Sequence, residues 1–231
     1  MALWIKTTVA LSCIAALLLV VQGLQAQQCG PLIGDQAPHF KADSTQGTIS
    51  FPEQYAGKWV LFFSHPADFT PICATEFKKL ASMVNNLDKL NTKLVGISVD
   101  SAYTHAQWIQ DLEKDIDNKQ KITFPVVADT NRAIAKSYGM IHPKASATQT
   151  VRSVFFIDPK GVIRAIFYYP ITNGRNFDEI KRLLVALQTT DAKQVITPAN
   201  WQPGQQTITP QKEGEDKDAM PEKSSCPLKS K

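Results

Sequence analysis

Apolar positions recur along the chain at two spacings, and the alternation between them sets the order of its elements. Trp59-Val60-Leu61-Phe62-Phe63 is an unbroken apolar run, partly β-branched and aromatic, which predicts a buried strand. Phe77, Leu80, Val84 and Leu87 then repeat at helical spacing, so a helix follows at once. Lys93 to Asp100 predicts a central strand, and Tyr103 to Lys114 a helix with Trp108, Ile109 and Leu112 on its buried stripe. Phe124 to Asp129 predicts a short strand, and Arg132 to Tyr138 a short helix ended by Gly139. Strand and helix alternating in this way imply parallel strands joined by helical crossovers. Farther on, Ser153 to Ile157 and Val162 to Phe167 flank Asp158-Pro159-Lys160-Gly161, the pattern of an antiparallel hairpin. Asn176 with Glu179 predicts a capping box, and Phe177, Ile180, Leu184 and Leu187 supply the apolar face of the last long helix. The expected class is α/β, a mixed central sheet flanked by helices.

Both ends depart from this pattern. Met1 to Lys6 carries one lysine, an apolar run extends from Val9 to Val21, and Gln25-Ala26 closes it with a small residue. These are the features of a secretory signal peptide cleaved after Ala26. The run is short for a membrane span, which needs ~20 apolar residues, so an uncleaved anchor is the weaker reading. A lipoprotein site at Cys29 is disfavoured because Ala26-Gln27-Gln28 lacks the small residues such a site has. After about Ala192 the composition shifts: turn residues surround Trp201, and from Thr209 to Lys231 the chain is rich in Lys, Glu, Asp and Pro. That tail is expected to be mobile. The chain therefore divides into a leader (1–26), a globular domain (27–191) and a C-terminal extension (192–231).

Composition adds limits. The 231 residues are 43% hydrophobic and 20% charged, which is ordinary for a globular domain. A formal charge of +4, reduced by one when Lys6 leaves with the leader, is too small and scattered for a nucleic-acid surface. Neither metal nor cofactor is expected, because no His/Cys cluster has ligand spacing and no glycine-rich loop follows a strand. Export would place the chain in the periplasm or outside the cell, free of the membrane once the leader is cleaved. Of the four cysteines, Cys13 lies in the leader, leaving Cys29, Cys73 and Cys226. An odd number cannot all pair within one chain, so some thiol is free, reactive or bridged to another chain.

The chemistry concentrates between the first apolar run and the helix after it, in His65-Pro66-Ala67-Asp68-Phe69-Thr70-Pro71-Ile72-Cys73-Ala74-Thr75-Glu76. Thr70 suits an N-cap and Pro71 the first helical position. Cys73 then falls in the first helical turn, where unpaired N–H groups and the helix dipole favour the thiolate. No Cys-x-x-Cys pair exists, since Thr70 stands three residues before Cys73. The sulfur must therefore react with something other than a neighbouring thiol.

This stretch resembles the signature of the peroxiredoxins, and of the subfamily that contains the one-cysteine enzymes. The motif Pro-x-x-x-Thr-x-x-Cys falls on Pro66, Thr70 and Cys73, and the likeness continues through Arg152 and through Thr172 to Glu179. It covers roughly Leu32 to Pro203. It implies a thioredoxin-like fold, a homodimer or larger ring, and a peroxidase that reduces hydrogen peroxide and organic hydroperoxides with a thiol reductant; the leader adds the expectation that it is exported. Cys73 would attack the O–O bond, becoming a sulfenic acid and releasing water or an alcohol. Arg152 would hold thiolate and peroxide together, Thr70 orient the distal oxygen, and Pro66 shield the pocket. Arg175 and His65 would contact substrate, and Glu76 would anchor the arginines.

Cys226 resembles the resolving cysteine of two-cysteine relatives and would bridge to Cys73 of a neighbouring subunit; Cys29 and an external thiol are the alternatives. Ala56-Gly57-Lys58-Trp59 stands where some mammalian members carry a Gly-x-Ser-x-Gly lipase site, so lipase activity is not expected. Two other functions fit the same residues less well. A periplasmic thiol-disulfide oxidoreductase would use Cys73 with Cys226, and a non-catalytic holdase would not need Cys73.

Overall fold

The computed structural model of the chain describes residues 30–116 and 120–210. The predicted leader, Cys29, Cys226 and the tail around it lie outside them. Strands β1 (Phe40–Ser44), β2 (Gly47–Phe51), β3 (Trp59–Ser64), β4 (Thr92–Ser98), β5 (Val126–Ala128), β6 (Arg152–Ile157) and β7 (Ile163–Tyr169) form one sheet in the order β2-β1-β5-β4-β3-β6-β7. The helices are α1 (Pro71–Lys89), α2 (Ala102–Lys114), α3 (Ala133–Ser137) and α4 (Phe177–Lys193). β3 runs parallel to β4 and β4 to β5, whereas β6 is antiparallel to both β3 and β7. The sheet is therefore mixed, as the alternation of elements and the final hairpin predict.

β3 is buried along its whole length because both of its faces are covered. Leu61 and Phe63 pack with Phe77 and Leu80 of α1, Trp108 of α2 and Leu184 of α4. Val60 and Phe62 face the other way, onto Ile49, Phe51, Tyr138 and Phe155. Burying each such side chain stabilises the fold by about 1.5–3 kcal/mol. Gly96 on β4 lies opposite Phe63, and a Cβ there would meet the Phe63 ring at 3.1 Å, so any larger residue would have to push this ring aside by a few tenths of an ångström.

The β1–β2 hairpin carries no predicted element. Its outward residues Lys41, Asp43 and Thr48 are polar, while Ile49 and Phe51 close one face of the core. The capping box at α4 forms only by half. The Asn176 side chain accepts from the backbone N–H groups of Asp178 and Glu179, but the Glu179 carboxylate turns outward to Arg182 instead of back to Asn176. An ion pair with a partner one turn along outcompetes the reciprocal cap. Beyond α4, the backbones of Ile196 and Ile208 bridge, and Trp201 between them in the chain is buried, with its indole N–H donating to the Gln205 carbonyl.

Candidate active site

β3 ends at Ser64 and delivers the chain into a turn beyond the C-terminal end of this interior strand. Phe69 in that turn is a non-glycine residue with φ 56°, a left-handed conformation that costs ~1–3 kcal/mol. Strain is thus held in the segment that aims α1. Thr70 is extended and Pro71 opens the helix, as the sequence implies. The Thr70 side chain, however, does not cap α1. Its hydroxyl donates to the Ala67 carbonyl at 3.0 Å, satisfying a turn acceptor that has no helical amide to meet. The lone pairs of Thr70 Oγ1 stay available to a donor. Cys73 follows in the first turn, fully buried and unpaired.

Antiparallel pairing of β6 with β3 places the first residue of β6 beside the last of β3, and so brings Arg152 to the sulfur. Its Nη1 donates to Cys73 Sγ at 3.2 Å and to Glu76 Oε2 at 2.9 Å. Its Nε and Nη2 both donate to the Ile171 carbonyl, at 3.0 and 2.9 Å, which fixes the plane of the fork. Glu76, one turn along α1 from Cys73, is also buried, and it ties Arg152 to Arg175.

Arg175 is placed differently from the substrate contact expected of it. Nε and Nη2 donate to Glu76 at 3.1 and 2.6 Å, and Nη1 donates to the Ser64 and Ser153 carbonyls at 2.9 and 3.0 Å. With the Phe63 ring 5.2 Å from its guanidinium carbon, Arg175 stands behind Glu76 and supports it. Two guanidiniums and one carboxylate leave one uncompensated positive charge in a buried cluster that touches Cys73 Sγ. An anionic sulfur balances it, and the charge-assisted contact strengthens as the sulfur ionises.

Pro66 is buried in the same turn. His65 is fully buried too, its ring stacked on Trp108 and edge-on to Phe77. Its Nε2 meets Asp68 Oδ1 at 2.8 Å, whereas Nδ1 has no protein partner. Burial pushes the His65 imidazole below its ordinary range despite the neighbouring Asp68. For Asp68, burial acts upward, but hydrogen bonds from His105 and His65 outweigh it and hold the carboxyl low. His105 of α2 and Asp100 after β4 complete this second cluster. Sequence reasoning passed over Asp68, Asp100 and His105. The available signal was His105 lying three residues before Trp108, on the buried stripe of α2.

A cysteine opening a helix beside a buried guanidinium, on a thioredoxin-like sheet and with no second cysteine in its turn, defines a thiol-dependent peroxidase. Residues 33–166 match the AhpC/TSA family, and residues 186–223 match the C-terminal domain of 1-Cys peroxiredoxin. The chain belongs to the peroxiredoxin family. It is 54% identical over 184 residues to a peroxiredoxin of Methanosarcina mazei, covering 78% of this chain and 84% of that one. A peroxiredoxin of Aquifex aeolicus is 49% identical over 177 residues, covering 77% and 79%. Among solved structures, a cysteine-to-serine mutant of peroxiredoxin 6 of Arenicola marina superposes with a TM-score of 0.74 at 36% identity, covering 78% of this chain and 84% of that one. The yeast mitochondrial 1-Cys peroxiredoxin gives 0.73 at 44% identity, covering 78% and 87%.

Proposed function

We propose that this peroxiredoxin acts outside the cytoplasm on hydrogen peroxide and small organic hydroperoxides. The contact that carries the reading is the 3.2 Å hydrogen bond from Arg152 Nη1 to Cys73 Sγ, between two buried side chains. The sulfur attacks the proximal peroxide oxygen and the O–O bond breaks. The proton of the attacked peroxide O–H passes to the distal oxygen, which leaves as water or an alcohol, and the Cys73 S–O⁻ takes a proton from water to become the sulfenic acid. Arg152 stabilises the charge that shifts onto the oxygens, and the Thr70 hydroxyl accepts from the peroxide O–H. Glu76 and Arg175 hold Arg152 in place.

Export is supported by the leader pattern at 1–26, which also puts the enzyme in the periplasm or outside the cell. The sulfenic acid is resolved by Cys226 of a partner subunit in a homodimer or ring, or by an external thiol. The yeast relative, described by its thiol resolution via glutathione and thioredoxin systems, supports the second route. Peroxide consumption by the full chain and by Cys73→Ser, Cys226→Ser and Cys29→Ser, followed by non-reducing mass analysis, tests the whole sequence. Loss of turnover in Cys73→Ser and a Cys73–Cys226 bridge in the oxidised protein are expected. Undiminished peroxidase activity in Cys73→Ser would overturn the mechanism, and N-terminal sequencing of exported protein that begins elsewhere than Gln27 would overturn the leader reading.

A further inference from the structure

We propose that His105 is a buried imidazolium whose charge keeps Asp68 an anion and so locks His65 in its Nε2–H tautomer, making His105 a positioning residue for the Cys73 turn. The argument starts from what the His105 ring touches. The ring is fully buried, with Nδ1 2.8 Å from Asp68 Oδ2 and Nε2 3.2 Å from the Val127 carbonyl of β5. A carboxylate and a carbonyl only accept. A neutral imidazole has a single N–H, so one of the two contacts would set lone pair against lone pair. With the Asp68 carboxyl held low and so ionised, both contacts are hydrogen bonds only when both ring nitrogens carry hydrogen, that is, when the ring is charged.

The consequence passes through Asp68 to His65. Asp68 sits between the two rings, and its own backbone N–H donates to Asp100 Oδ2 at 3.0 Å. Asp100 in turn accepts from Ser98 Oγ at 2.7 Å. An ionised Asp68 needs a donor from His65, which puts the His65 hydrogen on Nε2. Nδ1 has no partner, so a second hydrogen there would bury an unpaired charged N–H, at a cost of several kcal/mol. His65 is thus neutral, with a lone pair at Nδ1 in the turn that ends at Cys73.

Groups facing the cluster come from every element around it: His65 and Asp68 from the turn after β3, Asp100 from the end of β4, His105 and Trp108 from α2, the Val127 carbonyl from β5 and Phe77 from α1. No lysine or arginine is among the hydrogen-bond partners of Asp68 in the described residues, which leaves His105 as its cation. The distances also favour a proton over a metal ion as the bridge. Two ligands of a tetrahedral ion, each ~2.0–2.1 Å from it, stand ~3.3 Å apart, whereas Asp68 meets each ring nitrogen at 2.8 Å.

Nitrogen-15 labelling of histidine in the full chain reads the protonation state of each ring nitrogen directly. Near neutral pH, His105 is expected to show two protonated nitrogens, and His65 a protonated Nε2 with a lone-pair Nδ1. In His105→Gln the His65 signals should leave this single-tautomer pattern, and the second-order rate with hydrogen peroxide should fall by about tenfold or more, as when a group that orients a functional histidine is removed. A purely structural His105 would lower thermal stability and leave the His65 signals where they are, which would overturn the proposal. So would a lone-pair nitrogen on His105 in the wild type near neutral pH. Should His105→Gln not fold, the wild-type spectra alone decide. The functional half rests on reading the turn as the peroxide site, and a wild type inert toward peroxide would remove that half independently of the spectra.

Discussion

Replacing Glu76 by Gln removes one charge from the middle of the active-site cluster while keeping the shape of the side chain. The carboxylate accepts from Arg152 Nη1 at 2.9 Å, from Arg175 Nη2 at 2.6 Å and Nε at 3.1 Å, and from the Arg175 backbone N–H at 2.9 Å. Glutamine keeps one acceptor oxygen and turns an amide NH2 toward a guanidinium. Two buried cations then face each other with no carboxylate between them. Breaking a buried ion pair from one side costs about 3–5 kcal/mol. At roughly 2–4 °C per kcal/mol for a domain of this size, Tm should fall by roughly 6–20 °C. Urea unfolding followed by tryptophan fluorescence gives the same quantity as a shift in midpoint at constant slope. Arg152 also loses the tether that holds its fork against Cys73, so reaction with peroxide should slow in the same variant. A stability loss under about 1 kcal/mol, well below the range for a buried pair, would refute the account of Glu76 as the central counter-charge.

Thr70→Val removes the hydroxyl that donates to the Ala67 carbonyl. It should destabilise by about 1 kcal/mol, the net worth of one hydrogen bond, and should lower the peroxide rate constant more than the rate of alkylation by a small electrophile; equal effects on both would contradict a role for this hydroxyl with peroxide. Acid stability follows from the two lowered groups. The His65 imidazole is held below its unfolded value of ~6.5, so beneath that pH the unfolded chain gains a proton that the folded chain does not. Stability then falls by up to ~1.4 kcal/mol per pH unit until the folded value is reached. Asp68, held below ~3.9, contributes stability above that pH and loses it as pH drops further. Urea unfolding at several pH values below ~6.5 should show both declines, and a stability that rises as pH falls through that range would contradict the assignment. At the alkaline end, partial burial of the Tyr168 side chain, which stays 43% exposed, pushes its hydroxyl up to about 12. Stability should accordingly fall as pH rises above ~10, where the unfolded tyrosine ionises first, and Tyr168→Phe should remove that part of the decline.

The parts of the fold that could be read from the chain are those whose residues declare their surroundings locally. β3 is apolar at every position from Trp59 to Phe63 because both its faces are covered, and α1 keeps its helical stripe because one face is. The β1–β2 hairpin escaped because each strand has only five residues, so Phe40 and Ala42 of β1 and Ile49 and Phe51 of β2 alternate with polar residues over too short a run to declare a buried face. Cys73 could be placed from Thr70, Pro71 and the strand before them. Arg152 could not be placed by pattern alone, since an arginine opening a strand looks exposed until antiparallel pairing with β3 turns it inward. The choice of Glu76 over the nearby Asp178 and Glu179 as partner of Arg175 is likewise a product of tertiary packing. The two lie 99 residues apart, and nothing local reports it.

The central claim is that a guanidinium pressed against the Cys73 sulfur drives cleavage of the peroxide bond. Stopped-flow fluorescence of full-length Arg152→Lys and Arg152→Gln with hydrogen peroxide measures this directly. Loss of one preorganised charge-stabilising donor predicts a second-order rate constant lower by about a hundredfold or more in Arg152→Gln. Arg152→Lys, which keeps the charge but not the fork, should fall between that variant and the wild type. A folded Arg152→Gln that reacts at the wild-type rate would contradict the claim.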